Sequence, residues 1–147
     1  MGAARQTLRQ WNGVPLTLRQ LCEQRTRLSA EDVAMLEAID AVLPFIADLT
    51  DGDIFIDVMD VEQAYMFAVA QAQPRWGSSA YCMRTVGMPV MRENEPAVYH
   101  AYETGIPVRD LKGITQENIA VKQDVIPIQN TAEQTIAVLI HEEDISR

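Results

Sequence analysis

The chain has 147 residues, of which 48% are hydrophobic and 22% charged, and its formal net charge is −9. That length and hydrophobic content fit one globular domain with a substantial core. The acidic excess argues against nucleic acid and against an anionic membrane surface as partners, because both select for lysine and arginine. Small cations, in contrast, would be attracted to so acidic a protein.

The sequence carries no sign of membrane insertion or secretion. No stretch approaches the ~20 apolar residues that a membrane-spanning helix needs, and the N-terminal residues lack the apolar centre of a signal peptide. Two cysteines, Cys22 and Cys82, do not make a disulfide framework. We therefore expect a cytoplasmic protein with reduced, buried thiols, in which residues 1–16 form a flexible arm and residues 17–147 a single domain.

Two helices are predicted near the N-terminus. Thr17 and Gln20 have the spacing of a capping box, and apolar residues follow at helical intervals. Ser29 is a good N-cap for a second helix, whose wide apolar stripe indicates that it continues to about Asp48. Pro44 lies inside this helix and should kink it, because proline removes a backbone hydrogen bond.

Two strands are predicted next, at Ile54–Val61 and Ala64–Gln73, and a short link joins them into a hairpin. In the second strand, strict alternation would place Ala68, Ala70 and Ala72 together on one face. A row of such small side chains allows a helix or a ligand to approach closely.

The C-terminal half is predicted to contain a helix, a loop and a hairpin. The helix is predicted to start at Glu95–Val98, with Pro96 in its first turn, and to run to about Thr104, where a glycine stops it. Ile106–Gly113 is predicted to be a loop. Strands are predicted at Ile119–Ile128 and Thr135–Ile140. The second strand alternates little, so we expect it to lie in the middle of the sheet. Proline within the first one requires a bulge or an unpaired edge.

The order of these elements predicts an α+β fold with a five- or six-stranded antiparallel sheet flanked by helices. Two regions fit the pattern less well. In the stretch between the two hairpins the apolar residues have no clean period, and a short strand is expected near Ser79–Arg84. The final segment, HEEDISR, could continue as a helix.

No catalytic motif is present: the sequence has no glycine-rich phosphate loop, no GxSxG, no HExxH and no CxxC. His100 and His141 are not spaced as metal ligands, and both are predicted to lie on the surface. Acidic pairs at Glu142–Glu143 and at Asp51 and Asp53 fall at turns and strand ends, where solvation explains them. We therefore expect no catalytic residue, no metal and no cofactor.

Several polar and aromatic side chains interrupt predicted strands or lie near the inward-facing helix. A few polar groups among aromatic walls are typical of a small-ligand site. The alternative is that the strand side chains point to solvent and that Arg109 and Asp110 pair to close a loop. As a group they favour a pocket, and the candidate ligand-binding residues are Asp57, Tyr81, Glu95, Tyr99, Tyr102, Glu103, Arg109, Asp110 and Gln123.

Several segments, in order, resemble one protein family. They include LSAEDVAMLEAI, ADLTDGDIFIDV, ENEPAVYHAYETGIPVRDLKGITQE, VKQDVIPIQN and IAVLIHEED, and they span about residues 17–145. They resemble the N-terminal GAF-like sensor domain of cytoplasmic sensor histidine kinases of the GAF-then-PAS type, in particular the Firmicutes branch that includes the ethanolamine-utilisation sensor kinase. The resemblance implies a GAF/PAS-like antiparallel sheet flanked by helices, with an N-terminal helical pair.

The resemblance also implies that the chain is the input module of a longer histidine kinase and has no kinase activity of its own. Its partners would be downstream PAS and kinase domains, a response regulator that binds RNA through an antitermination domain, and a second copy in a homodimer. The positions that match the family pattern are Glu95, Arg109, Asp110, Gln123 and Pro127.

Three functions are compatible with the sequence. The first is a signal-input domain that binds a small molecule between the sheet and the Glu95–Thr104 helix. An ammonium such as ethanolamine would be held there by acidic groups and aromatic faces. The second is a ligand-free dimerisation module that uses an apolar stripe on helix 30–48. The third is a thiol-dependent reductase, which would need Cys22 and Cys82 to be close and reactive.

Overall fold

The computed structural model describes residues 15–76, 85–114 and 118–146 of the chain. It contains the predicted N-terminal helical pair, α1 (Leu18–Arg25) and α2 (Ala30–Thr50). The capping box of α1 is formed, and the Ser29 hydroxyl accepts a hydrogen bond from the Asp32 N–H at 3.1 Å. Both predicted helix starts are therefore confirmed. The predicted arm falls almost entirely outside the described residues.

A six-stranded antiparallel sheet follows, as predicted, in the spatial order β3-β2-β1-β6-β5-β4. Its strands are β1 (Asp53–Met59), β2 (Met66–Ala72), β3 (Pro89–Val90), β4 (Val108–Ile114), β5 (Ala120–Gln129) and β6 (Thr135–Asp144). β6 lies between β1 and β5, which confirms its central position. Pro127 pairs with β6 only, because the pairing of β4 with β5 ends at Val125. The missing N–H therefore lies where one side of β5 is open.

Different helices cover the two faces of this sheet. The α1/α2 face holds the larger core, and Leu36 and Leu43 of α2 are almost fully buried there. α3 (Pro96–Thr104) covers the opposite α3 face, where Val98 packs with Phe55 and Ile140. The chain thus has two apolar layers, and a ligand site on the α3 face is separated from the helical pair by the sheet.

Two predicted boundaries were wrong. Residues Ile106–Gly113 do not form a free loop, because β4 covers most of them and pairs with β5 from Val108 to Ile114. A bulge at Asp110, with φ of 56°, breaks the alternation that would have identified an edge strand. The HEEDISR segment does not continue as a helix either, since β6 extends to Asp144. The strand expected near Ser79–Arg84 lies outside the described residues.

A bulge also changes the predicted faces of β2. The register shifts between Ile56, which lies opposite Ala70, and Asp57, which lies opposite Ala68. Ala70 and Ala72 therefore pack in the core on the α1/α2 face, whereas Ala68 shares the α3 face with Asp57. The three alanines do not form one small-residue surface.

The turn between α2 and β1 depends on a glycine without a side chain. A Cβ at Gly52 would lie 2.3 Å from His141 Nε2 and 2.7 Å from the Glu142 carbonyl oxygen. We expect Gly52→Ala to lower the free energy of unfolding by about 1–3 kcal/mol, since a strand must move away from the turn. Gly113→Ala is the control, because no atom of the described residues lies within 4 Å of its Cβ position. Denaturant unfolding measures both variants, and equal losses of unfolding free energy in Gly52→Ala and Gly113→Ala would contradict this account.

In the described parts of the chain, no helix combines the length and apolar character needed to cross a membrane.

Candidate functional site

A cavity of about 240 Å³ lies between the start of α3 and the strands β4, β5 and β6. Its walls combine carboxylates, an amide, a lysine and apolar side chains. The lining residues are Asn94, Glu95, Pro96, Ala97, Leu111, Lys112, Gly113, Ile114, Val121, Gln123 and Glu142. This is the region between sheet and helix that the ligand hypothesis identified.

A buried amide joins two carboxylates in the wall of this cavity. Gln123 Nε2 donates to Glu142 Oε1 at 2.9 Å and to Glu95 Oε2 at 3.1 Å. Gln123 and Glu142 lie opposite each other on β5 and β6, and both are more than nine-tenths buried. Glu95 reaches them from above because it is the residue at which α3 begins, with proline in the first turn.

A third acidic side chain, Asp57 of β1, lies close enough to Glu95 and Glu142 for their charges to change its pKa. It is only 2% exposed. Burial, together with the negative charges of Glu95 and Glu142, raises the pKa of Asp57 to about 8. Burial also raises the pKa of Glu95, although the hydrogen bond from Gln123 opposes that shift. The site is therefore a low-dielectric region in which three acidic side chains lie close together.

Carboxylates in a low-dielectric wall attract a cation more strongly than they would in water. The described residues contain no group of three or more His, Cys, Asp or Glu side chains arranged to hold a metal ion. An organic cation fits the mixed polar and apolar walls better, because Leu111, Ile114 and Val121 can contact its carbon atoms.

The two helical tyrosine candidates lie elsewhere. The Tyr99 hydroxyl donates to the Val90 carbonyl oxygen and accepts from the Met66 N–H at 2.8 Å, so Tyr99 fastens α3 to β2 and β3. Tyr102 lines a second cavity of about 310 Å³ near the β5–β6 turn. Its neighbours there include Arg27 and Gln63. Neither tyrosine lines the Glu95 cavity.

Three other candidates lie on the surface. Glu103 forms an ion pair with Arg92 at 2.8 Å, and both side chains are about half exposed. Arg109 and Asp110 lie on the exposed strand β4 rather than in a loop. Asp110 pairs with Lys122 of β5 at 3.5 Å. Tyr81 is outside the described residues. Of the eight candidates that the structure describes, only Glu95 and Gln123 line this cavity, and Asp57 lies nearby.

Sequence reasoning misjudged two acidic residues. Asp53 and Glu142 were expected to be solvated at strand ends, yet both are buried and face each other across β1 and β6. The available signal was alternation, because Val138, Ile140 and Glu142 occupy every second position of one strand. His141 was also placed on the surface, but its side chain is only 18% exposed and its Nε2 is buried.

The reductase hypothesis does not fit the one cysteine that the structure describes. Cys22 is 1% exposed on α1. Burial raises the pKa of its thiol to about 12, so almost no thiolate forms at neutral pH. Cys82 lies outside the described residues.

Comparison with known proteins agrees with the fold. A family model described as the GAF domain of the histidine kinase PdtaS matches residues 18–147. Among solved structures, the sensor region of a sensor histidine kinase aligns with 85% of this chain at 25% identity and a TM-score of 0.68. The PAS domain of a protein from Colwellia psychrerythraea aligns with 76% of this chain and 98% of its own, at 13% identity and a TM-score of 0.46. No curated protein gives a significant match.

The family model and the sensor-region structure confirm the α+β fold of the GAF kind and the sensor-kinase resemblance. The chain spans 41% of the length of the matching sensor region. The ethanolamine branch, the dimer and the cytoplasmic location stay predictions. The chain belongs to the family of GAF domains of PdtaS-type histidine kinases, and it is a sensor domain rather than a catalytic one.

Proposed function

We propose that the chain is the small-molecule input domain of a cytoplasmic two-component kinase, and that its ligand is a small organic cation. The observation that carries the proposal is the buried amide of Gln123, which holds Glu95 and Glu142 at the wall of a cavity. Asp57 adds a third acidic group nearby. A protonated amine would replace repulsion among these groups with ion pairing.

The cavity suits a compact amine. Its volume of about 240 Å³ is below the usual range for drug-sized ligands. An ammonium group would donate hydrogen bonds to Glu95 and Glu142, while Leu111 and Ala97 contact its carbon chain. Ethanolamine belongs to this chemical class, and its hydroxyl group would donate a hydrogen bond to an amide or carboxylate oxygen.

Ligand binding would be transmitted through the two elements that the cavity joins. Glu95 belongs to the start of α3, and Leu111 belongs to β4. A ligand that contacts both would favour the arrangement in which they are held together, and a shift of that equilibrium would bias downstream PAS and kinase domains. The kinase would then act on its response regulator.

A thermal-shift screen tests the proposal. Purified chain is titrated with primary and quaternary amines, amino acids, nucleotides and metal ions. A ligand at about one hundred times its Kd stabilises the folded state by about 2.7 kcal/mol, which raises the melting temperature by roughly 5–10 °C in a domain of this size. We expect that rise with at least one amine.

The controls identify the site. Glu95→Gln should abolish the amine-dependent rise, because it removes a carboxylate from the cavity wall. Glu103→Gln, on the same helix, should leave the rise unchanged, because Glu103 pairs with Arg92 on the surface. An undiminished response in both Glu95→Gln and Glu142→Gln would place the ligand elsewhere. A flat screen of this chain and of the full-length kinase would overturn the proposal.

The second candidate function is a ligand-free dimerisation module. One observation favours it: the apolar residues Val42, Phe45 and Leu49 of α2 are exposed. The two functions differ in the screen above, since only the first predicts stabilisation by a small molecule.

A further inference from the structure

Asp57 is a buried acidic side chain without a compensating partner. It is 2% exposed, and the residues opposite it in the sheet are Ala68 of β2 and Val138 of β6, whose side chains are apolar. Among the residues that the structure describes, none forms a hydrogen bond or an ion pair with its carboxyl group. An ionised carboxylate is strongly disfavoured in such a place, so at neutral pH Asp57 keeps its proton.

The hydrogen bonds beside the cavity place this proton on Asp57 rather than on its acidic neighbours. The Gln123 amide donates one N–H to Glu95 and the other to Glu142, and such a bond favours the ionised form of the acceptor. The charge of Asp57 also acts on Tyr99 of α3. The Tyr99 hydroxyl, however, donates to the Val90 carbonyl oxygen and not to Asp57.

The charged side chains that act on Asp57 in the described part of the chain are both negative. They are Glu95 at the start of α3 and Glu142 of β6. β2 faces Asp57 with the apolar Ala68, and β5 contributes the neutral amide of Gln123. A positive charge held by Glu95 and Glu142 would act on Asp57 over a similar distance and with the opposite sign. It would therefore favour the ionised form of Asp57.

We propose that a cation bound in the Glu95 cavity displaces the proton from Asp57, so that binding of one ammonium group releases up to one proton. The proposal rests on the proposed function, because it requires a cation in that cavity. The O–H bond of Asp57 breaks, the proton passes to water or buffer, and the ammonium balances the new carboxylate. The filled site thus has the same net charge as the free one, and Asp57 acts as the residue that adjusts it.

This exchange makes the affinity for the cation depend on pH. The bound state holds fewer protons than the free state, so affinity rises with pH until Asp57 is already ionised in the free chain. Burial and the two neighbouring carboxylates raise the pKa of Asp57 to about 8, which sets the upper end of that range. Below it, the Kd falls by up to about tenfold per pH unit. The domain would then respond to amine concentration and pH together.

Calorimetric titration with ethanolamine measures the released proton directly. Its ammonium group stays charged near neutral pH, since an alkylamine such as the lysine side chain titrates near 10.4. The titration is made in phosphate and in HEPES, because the difference between the two binding heats gives the number of protons passed to the buffer. We expect between about 0.5 and 1 proton at pH 7, and a Kd that falls about three- to tenfold from pH 6 to pH 7.

Asp57→Asn identifies the group that releases the proton. Asparagine has the shape of the protonated acid, so the variant should bind ethanolamine without proton release and with a Kd independent of pH. At pH 8 it should bind at least about threefold more weakly than the wild type. Glu103→Gln is the control and should keep the wild-type proton release, because Glu103 pairs with Arg92 on the surface.

The outcomes separate this inference from the function on which it rests. Amine binding with equal heats in the two buffers and a flat pH profile would overturn the proton exchange and leave the amine site intact. Proton release that persists in Asp57→Asn would assign the proton to another group and overturn the role of Asp57. Failure of ethanolamine and of every other amine in the screen to bind, at any of these pH values, would overturn both proposals.

Discussion

Replacing Asp57 with asparagine should remove most of the decline in stability that the wild-type chain shows between about pH 4 and pH 8. Burial raises the pKa of Asp57 to about 8 in the folded chain, whereas an unfolded aspartate titrates near 3.9. Between these values the folded state binds one more proton than the unfolded state. The contribution of protonated Asp57 to the free energy of unfolding is therefore complete below pH 4. It is lost as the pH rises through 8, at roughly 1.4 kcal/mol per pH unit.

The measurement is denaturant unfolding of the wild type and Asp57→Asn at several pH values. We expect similar stabilities at pH 4, and at pH 8 a variant more stable than the wild type by on the order of 3–5 kcal/mol. Asparagine has the shape of the protonated acid and cannot ionise. Asp110→Asn is the control, since Asp110 has an exposed side chain on β4 and should keep the wild-type pH dependence. A wild type and an Asp57→Asn variant with parallel pH profiles would contradict the argument.

Removing Arg25 should destabilise the chain by roughly 3–5 kcal/mol, from lost charged hydrogen bonds and a buried cation–π contact. Arg25 is 8% exposed. Its guanidinium donates to the Gly87 carbonyl oxygen at 3.0 Å and to the Tyr65 hydroxyl at 3.2 Å. It also lies 3.8 Å above the centre of the Phe67 ring. One side chain thus ties α1 to β2 and to the segment before β3.

The comparison that isolates this effect is between Arg25→Ala and Arg27→Ala. Arg27 is exposed two positions later, so its removal should change the free energy of unfolding by less than about 0.5 kcal/mol. Arg25→Lys should recover only part of the loss, because an ammonium keeps the charge but not the planar fork or the stacking. Equal effects of the two alanine variants would show that the buried contacts contribute little.

Local rules predicted the helices well. Thr17, Ser29 and Pro96 act within one helical turn, so the start of each helix could be identified from a few neighbouring residues. The central position of β6 followed from its continuous apolar run. These elements depend on interactions that the sequence shows directly, either as a cap or as a hydrophobic period.

The features that were missed depend on bulges and on packing between distant segments. The bulge in β2 moves Ala70 to the opposite face of the sheet, and the bulge at Asp110 breaks the alternation by which β4 could be recognised. Neither bulge contains a proline or a glycine that would indicate it in the sequence. Glu142 was assigned to solvent because its burial depends on α3 lying above it. Tyr99 was assigned to a pocket because the sequence does not reveal that its hydroxyl bonds to Val90.

The position of β4 at the edge of the sheet has a kinetic consequence for the cavity beneath it. β4 pairs with β5 alone, and the side chains of its central residues are exposed. Detaching it breaks one ladder and removes only the partly buried Val108 from the edge of the core on the α3 face, so it is the least costly wall to open. Molecules would then enter and leave the cavity at a rate set by the opening of this strand, while the helical pair on the other face stays packed. Charged residues and the bulge along the same edge would limit pairing with a stray strand during each opening.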